Sequence, residues 1–156
     1  MTTLDGVGGQ VISVSWSSDT STIVGATVVG EMRTWNATSA MIEANFIGSF
    51  NGTLDGITAT SFSPDGSKLA SSGIDGVIRI WDAATAQIMT TIEAGAPIFD
   101  VQWSPSGNAI VYGGDGSLVQ IADLTPLLPT PTETATVTDQ WYNPPCKSSR
   151  LQDKVS

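Results

Sequence analysis

The chain has 156 residues, 15 of them acidic and six basic, with no histidine and one cysteine, which gives a net charge of −9. Without an imidazole, Ser-His-Asp and Cys-His catalytic arrangements are excluded, as are metal sites built on histidine or on paired cysteines. The acidic balance disfavours nucleic acid and anionic membrane surfaces as partners, and no run of 18 apolar residues predicts membrane insertion.

The chain opens on a short predicted strand. Residues 1–5, MTTLD, match residues 89–93, MTTIE, which end a repeat farther along the chain. We therefore predict that 1–5 is an outermost strand whose own sheet is absent from this sequence. A sequence that begins at the end of a repeat indicates a fragment of a longer protein, although a true start at Met1 stays open.

Three repeats follow, over about 9–50, 52–92 and 94–125. The segment ITATSFSPDGSKLASSGIDGVIRIWD, residues 57–82, aligns with 11–36 at a constant offset of 46 and with 98–123 at a constant offset of 41. A fixed period of this size is typical of repeat architectures. Each repeat has an aromatic residue before its first turn, and these residues are Trp16, Phe62 and Trp103.

Within one repeat the pattern predicts four short strands. In the second repeat, alternation over 57–62 ends at the turn residues Pro64, Asp65 and Gly66. Strands are then predicted over 68–72, 77–81 and 87–92, with a hairpin turn at 75–76. Each repeat is thus predicted to be a four-stranded antiparallel meander, and the chain to be all-β.

Residues 61–82, SFSPDGSKLASSGIDGVIRIWD, resemble a WD40 repeat, the unit of a β-propeller. The resemblance implies about three blades over 1–125. Because propellers use roughly 4–8 blades, the ring would be incomplete or open, and further blades or a homo-oligomer would complete it. In the family, a turn Asp, a strand Ser or Thr, the Trp of the closing pair and a His form a hydrogen-bonded network. The matching structural positions here are Trp35, Ser71 or Ser72, Asp75, Trp81, Asp82 and Asp123, without the histidine.

The family layout also implies which loops face a partner. These are the loops before each first strand, 6–10, 51–56 and 93–97, and the turns 27–30, 74–76 and 114–117. They are short, rich in Gly and Asp, and poor in Arg, Tyr and Trp, the residue types that dominate binding energy, so their composition does not indicate which ligand binds. The candidate partner-facing residues are Asn51, Thr53, Asp55, Ile74, Glu93 and Asp115.

Residues 126–156 differ in composition from the repeats. Five of the eight prolines of the chain lie in this segment, which begins with the Pro/Thr-rich run PLLPTPTETAT. Such a composition predicts an extended linker or a disordered tail. The segment is also compatible with a stalk between extracytoplasmic modules, so the compartment stays open between cytoplasmic and extracytoplasmic.

Three functions remain compatible with the sequence. The first is a non-catalytic scaffold for protein–protein interaction, with a protein or peptide partner and no cofactor. The second is an extracytoplasmic ligand-binding or sensor propeller tethered by the Pro/Thr-rich segment. The third is an enzyme whose active residues lie in other blades. A rigid scaffold carrying loops favours the first.

Overall fold

The computed structural model describes residues 2–46, 56–116 and 119–127. In these ranges it contains eleven strands and no helix. The strands are β1 (Val11–Trp16), β2 (Thr22–Thr27), β3 (Met32–Asn36), β4 (Ile42–Phe46), β5 (Ile57–Phe62), β6 (Lys68–Gly73), β7 (Val77–Asp82), β8 (Ile88–Glu93), β9 (Ile98–Trp103), β10 (Ala109–Gly114) and β11 (Val119–Asp123).

The strands form three antiparallel sheets, which we call blades 1, 2 and 3. Blade 1 has the order β1-β2-β3-β4 and blade 2 the order β5-β6-β7-β8, while the described strands of blade 3 have the order β11-β10-β9. Each blade is a meander in which consecutive strands pair. The predicted all-β fold of propeller blades is confirmed, and the three sheets do not close into a ring.

Side-chain hydrogen bonds fix the turn that follows the first strand of a blade. In blade 2 the Ser63 hydroxyl donates to Asp65 at 2.6 Å and accepts the Lys68 N–H at 2.9 Å. Gly66 lies in the same turn with φ of 71°, a conformation that only glycine adopts without cost. Blade 1 repeats the motif, since Ser17 donates to Asp19 at 2.6 Å.

The hydrophobic core lies between the blades. We call the side of a blade that packs on the next blade along the chain its forward face, and the opposite side its rear face. One cluster joins the forward face of blade 1 to the rear face of blade 2, and a second joins blades 2 and 3 in the same way. Buried members of the first cluster are Val24, Met32, Phe46, Phe62, Leu69 and Trp81, and those of the second are Ala70, Ile78, Ile80, Val101, Trp103 and Ile110.

The N-terminal segment is described from residue 2. The outermost strand over 1–5 stays a prediction, because its sheet is absent from the described residues, and residues 2–5 pair with none of the eleven strands. They lie instead against blade 1, where the Asp5 carbonyl accepts the indole N–H of Trp35 at 3.0 Å. A strand needs the edge of another strand for its backbone hydrogen bonds, and this segment contacts side chains of blade 1 rather than a sheet edge.

Blade 3 ends in a short turn. Leu124 is fully buried in the second cluster, and its carbonyl accepts the Leu127 N–H at 2.9 Å. The predicted tail over 126–156 lies outside the described residues beyond position 127. The boundaries of the repeats and the linker therefore stay predictions.

Candidate interaction surface

A buried hydrogen bond joins two of the predicted structural positions in blade 2. The Trp81 indole N–H donates to the Ser71 hydroxyl at 2.9 Å, and both residues are 1% exposed. Phe46 of blade 1 packs edge-on against the Trp81 ring, with ring centroids 5.7 Å apart. This bond therefore lies at the rear face of blade 2, where blade 1 covers it.

Of the two candidate serines, Ser71 is the partner of the indole. Ser72 lies within 3.0 Å of the Thr58 hydroxyl, and Thr58 donates to the Ile98 carbonyl of blade 3 at 2.6 Å. Because neighbouring residues of a strand point to opposite faces, Ser72 belongs to the forward face of the blade. It helps to join blades 2 and 3.

The turn carboxylate of blade 2 forms an ion pair that the sequence reasoning missed. Asp75 contacts the Arg79 guanidinium at 2.7 Å and accepts the Val77 N–H at 3.1 Å. Arg79 is only 9% exposed and lies opposite Ser71 in the β6–β7 ladder. An arginine four residues after a turn Asp could have signalled this pair. The pair lies beside the Ser71 position, where the family resemblance implies a network that contains a histidine.

The closing residue of each repeat caps the turn that follows the third strand. Asp82 accepts the N–H groups of Ala84 and Thr85 at 3.1 and 2.7 Å, and these bonds lower its pKa. Asp123 accepts the Thr125 N–H at 2.8 Å, with the same effect on its pKa. Asn36 does the same in blade 1 without a charge. The closing carboxylates thus have a local structural role.

Backbone hydrogen bonds bring two loops of each blade together at one end of the sheets. The Val28 N–H donates to Gln10, the Ile74 N–H to Gly56, and the Asp115 N–H to Pro97. Each bond joins the loop before the first strand to the turn between the second and third strands. We call this end the loop face; its described residues are 6–10, 27–31, 56, 74–76, 93–97 and 115–116.

The loop face exposes apolar and acidic side chains. Val29 is 50% exposed and Ile74 is 47% exposed, and the carboxylates of Glu31, Glu93 and Asp115 are also exposed. Three predicted partner-facing residues, Asn51, Thr53 and Asp55, lie outside the described residues. Where it is described, the loop face is thus a mixed apolar and acidic surface on turns held by backbone bonds.

A cleft of about 410 Å³ opens at the opposite end of the sheets, between blades 1 and 2. Asp19 and Asp65 line it, and serine hydroxyls from Ser17 and Ser63 donate to them and lower the pKa of each to about 2. Carboxylates held ionised in this way are poor proton donors. In the described ranges no group of three or more His, Cys, Asp or Glu residues could hold a metal ion.

Comparison with known proteins identifies the repeat. A family model described as "WD domain, G-beta repeat" matches residues 44–82, which include the end of β4 and strands β5 to β7 of blade 2. The chain carries a WD40 repeat within a β-propeller fold. Among solved structures, the β-propeller domain of Cps50 (Swd1) from Myceliophteria thermophila is similar, with a TM-score of 0.67 and 17% identity.

The chain aligns with that domain over 76% of its own length and 37% of the length of the domain. It therefore spans well under half of the propeller to which it is similar. No curated protein matches its sequence. No helix in the described ranges is long and apolar enough to cross a membrane.

Proposed function

We propose that the chain is a non-catalytic interaction scaffold whose loop face binds a protein or peptide. WD40 repeats in a propeller fold serve in general as scaffolds for protein interaction. The observation that carries the proposal is the exposure of Val29 and Ile74 on turns that backbone bonds fix in place. Apolar side chains presented on a rigid frame lose little conformational entropy when a partner covers them.

The charge of the loop face supports a basic partner. Glu31, Glu93 and Asp115 are exposed on the same loop face as the two apolar side chains, while Arg79 is engaged by Asp75. Complementary charge steers association and suppresses unsuitable partners. The partner is therefore a segment that carries Lys or Arg next to apolar residues.

A non-catalytic role agrees with the state of the described carboxylates. WD40 propellers are typically non-catalytic. In this chain Asp19, Asp65, Asp82 and Asp123 all accept hydrogen bonds within their own turns. A carboxylate occupied in this way stabilises a turn and is not poised for acid or base chemistry.

The proposal is tested by selecting a random peptide library displayed on phage against the 156-residue chain. We expect the enriched peptides to carry Lys or Arg beside apolar residues. Synthetic copies should bind Glu93→Lys and Ile74→Ser about 10-fold more weakly, because the first change reverses an attractive charge and the second removes an apolar contact. Glu43→Lys is the matched control, since Glu43 is exposed on β4 away from the loop face.

Three results would contradict the proposal. They are the absence of any enriched peptide, enrichment of acidic peptides, and equal weakening by Glu43→Lys and Glu93→Lys. Binding is measured by fluorescence anisotropy with a labelled peptide, at low and at physiological salt. A basic partner should bind more weakly as salt rises, because salt screens exposed charges.

A further inference from the structure

We propose that two copies of this chain join head to tail, the forward face of blade 3 in each copy packing on the rear face of blade 1 in the other, to form a six-bladed ring. The inference rests on the two terminal faces of the described sheets. It does not depend on what the loop face binds.

The forward face of blade 3 exposes side chains that the preceding blade buries. Val119 and Ile121 on β11 are 79% and 77% exposed. The equivalent residues of blade 2, at the constant offset of 41, are Ile78 and Ile80. Both are 0% exposed, because they belong to the cluster that joins blades 2 and 3. The forward face of blade 3 thus carries the apolar side chains of a packed face, but no described blade packs on it.

The rear face of blade 1 shows the complementary pattern. Trp16 on β1 is 57% exposed, whereas the equivalent aromatic residues Phe62 and Trp103 are 9% and 8% exposed in the clusters between blades. Val14, two residues earlier on the same side of β1, is 70% exposed, and its equivalent Val101 is fully buried. These side chains lie where a preceding blade would cover them.

The two faces are the halves of an interface that the chain already forms twice. At both internal joints a serine on the first strand of one blade accepts a backbone N–H from the first strand of the next. Ser13 accepts from Thr60 at 3.0 Å, and Ser61 accepts from Trp103 at 3.2 Å. The first strand of blade 3 carries no serine, so a third joint would keep only the apolar part of this interface. It would bring Val119 and Ile121 of one copy into one cluster with Val14 and Trp16 of the other, as Ile78 and Ile80 join Val101 and Trp103.

The N-terminal segment leaves this part of the rear face open. It contacts the third and fourth strands of blade 1, where Asp5 bonds Trp35 and the Gly6 backbone approaches the side chains of Arg33 and Ile42. In blade 2 the equivalent Trp81 is covered by Phe46, from the outermost strand of blade 1. The segment therefore occupies the place of an outermost strand of a preceding blade, and β11 of blade 3 pairs only with β10 in the described ranges.

The usual number of blades in a propeller favours a ring of two copies. A head-to-tail interface closes into a ring when the rotation per copy allows it. Two copies of three blades give six, which lies within the roughly 4–8 blades that propellers use. A second copy thus supplies both missing covers in one closed assembly.

The test uses the 156-residue chain and two surface variants, Ile121→Asp on the forward face and Trp16→Asp on the rear face. Light scattering should give twice the 16.2 kDa chain mass for the wild type. Each variant alone should raise the dimer dissociation constant by about 100-fold, since a carboxylate replaces an apolar contact in both joints. Ile74→Asp, on the loop face, is the matched control and should leave the dimer intact.

Mixing the two variants separates this arrangement from other dimers. A mixed pair contains one joint made of two unaltered faces, so the mixture should recover a dimer that neither variant forms alone. A monomeric wild type, larger polymers, loss of the dimer in only one variant, or no recovery on mixing would overturn the proposal. Far-UV circular dichroism checks that both variants keep the β signal; if either loses it, Ile121→Ser and Trp16→Ser replace the pair.

Discussion

The same substitution should change the stability of the chain by different amounts at two tryptophans of the blade core. Trp81 is 1% exposed and donates its indole N–H to Ser71 at 2.9 Å. Trp103 is 8% exposed, and its indole N–H has no hydrogen-bond partner in the described ranges. We expect Trp81→Phe to be clearly destabilising and Trp103→Phe to be tolerated.

The structure sets the size of each effect. Trp81→Phe removes a buried hydrogen bond, leaves the Ser71 hydroxyl unsatisfied and opens a small cavity beside Phe46, a combined cost of about 2–4 kcal/mol. Trp103→Phe loses similar packing but also removes an unpaired buried donor, whose desolvation costs about 1–3 kcal/mol. The net change should stay within about 1 kcal/mol. Position 62 of blade 2 already holds the Phe that this substitution introduces.

Urea unfolding followed by far-UV circular dichroism measures both changes, at one fixed protomer concentration because association would raise the apparent stability. Adding Ser71→Ala to Trp81→Phe completes a double-mutant cycle, in which we expect a coupling energy of about 1 kcal/mol. The reasoning fails if Trp103→Phe costs as much as Trp81→Phe. A coupling near zero would show that the indole does not bond Ser71.

Three further predictions concern turns and joints. The pKa of Asp65 is lowered from 3.8 to about 2, so its contribution to stability is complete above pH 3.8 and is lost as the pH falls towards 2; Asp65→Asn should flatten this part of the stability–pH curve in acid titrations. Asp75→Asn should destabilise the chain by about 1–3 kcal/mol in urea, because it removes the 2.7 Å ion pair with the largely buried Arg79. Gly56→Ala should lower the thermal midpoint at a cost of about 1–3 kcal/mol, because a Cβ there would collide with the Val28 carbonyl.

The Asp75 and Gly56 predictions each have a control in the chain. Asp115→Asn changes an exposed turn carboxylate and should alter stability by less than about 0.5 kcal/mol. Gly8→Ala would place its Cβ at 3.4 Å from the flexible Glu31 side chain and should be tolerated. An Asp65→Asn variant with the acid slope of the wild type, or an Asp75→Asn variant as stable as Asp115→Asn, would contradict the assigned roles.

The repeat pattern predicted the strands well, because strand period and turn chemistry are local properties of the chain. In blade 2, strands were predicted over 68–72, 77–81 and 87–92, and the structure has Lys68–Gly73, Val77–Asp82 and Ile88–Glu93. The strand over 1–5 stays a prediction, because a strand also needs an edge to pair with and the described residues contain no sheet to which it would belong. A matching sequence states a propensity but does not supply that edge.

The two terminal faces could not be predicted from the repeat, because burial depends on the neighbouring blade. Trp16 and Trp103 occupy equivalent positions in aligned repeats, yet one is 57% exposed and the other 8%. The Asp75–Arg79 pair was missed for a related reason. The family pattern directed attention to a histidine that this chain lacks, and not to a basic residue on β7.

The closing tryptophan shows how neighbours decide what a repeated residue does. The Trp81 indole donates to the Ser71 hydroxyl in blade 2. In blade 1 the equivalent of Trp81 is Trp35, and the equivalent of Ser71 is Gly25, which has no hydroxyl. A Cβ at Gly25 would lie 3.0 Å from the Trp35 ring, so the ring packs closely over this glycine. The Trp35 indole therefore donates to the Asp5 carbonyl. The indole of Trp35, with no hydroxyl opposite it, thus bonds the N-terminal segment to the outer strands of blade 1, while Trp16 on the first strand is 57% exposed.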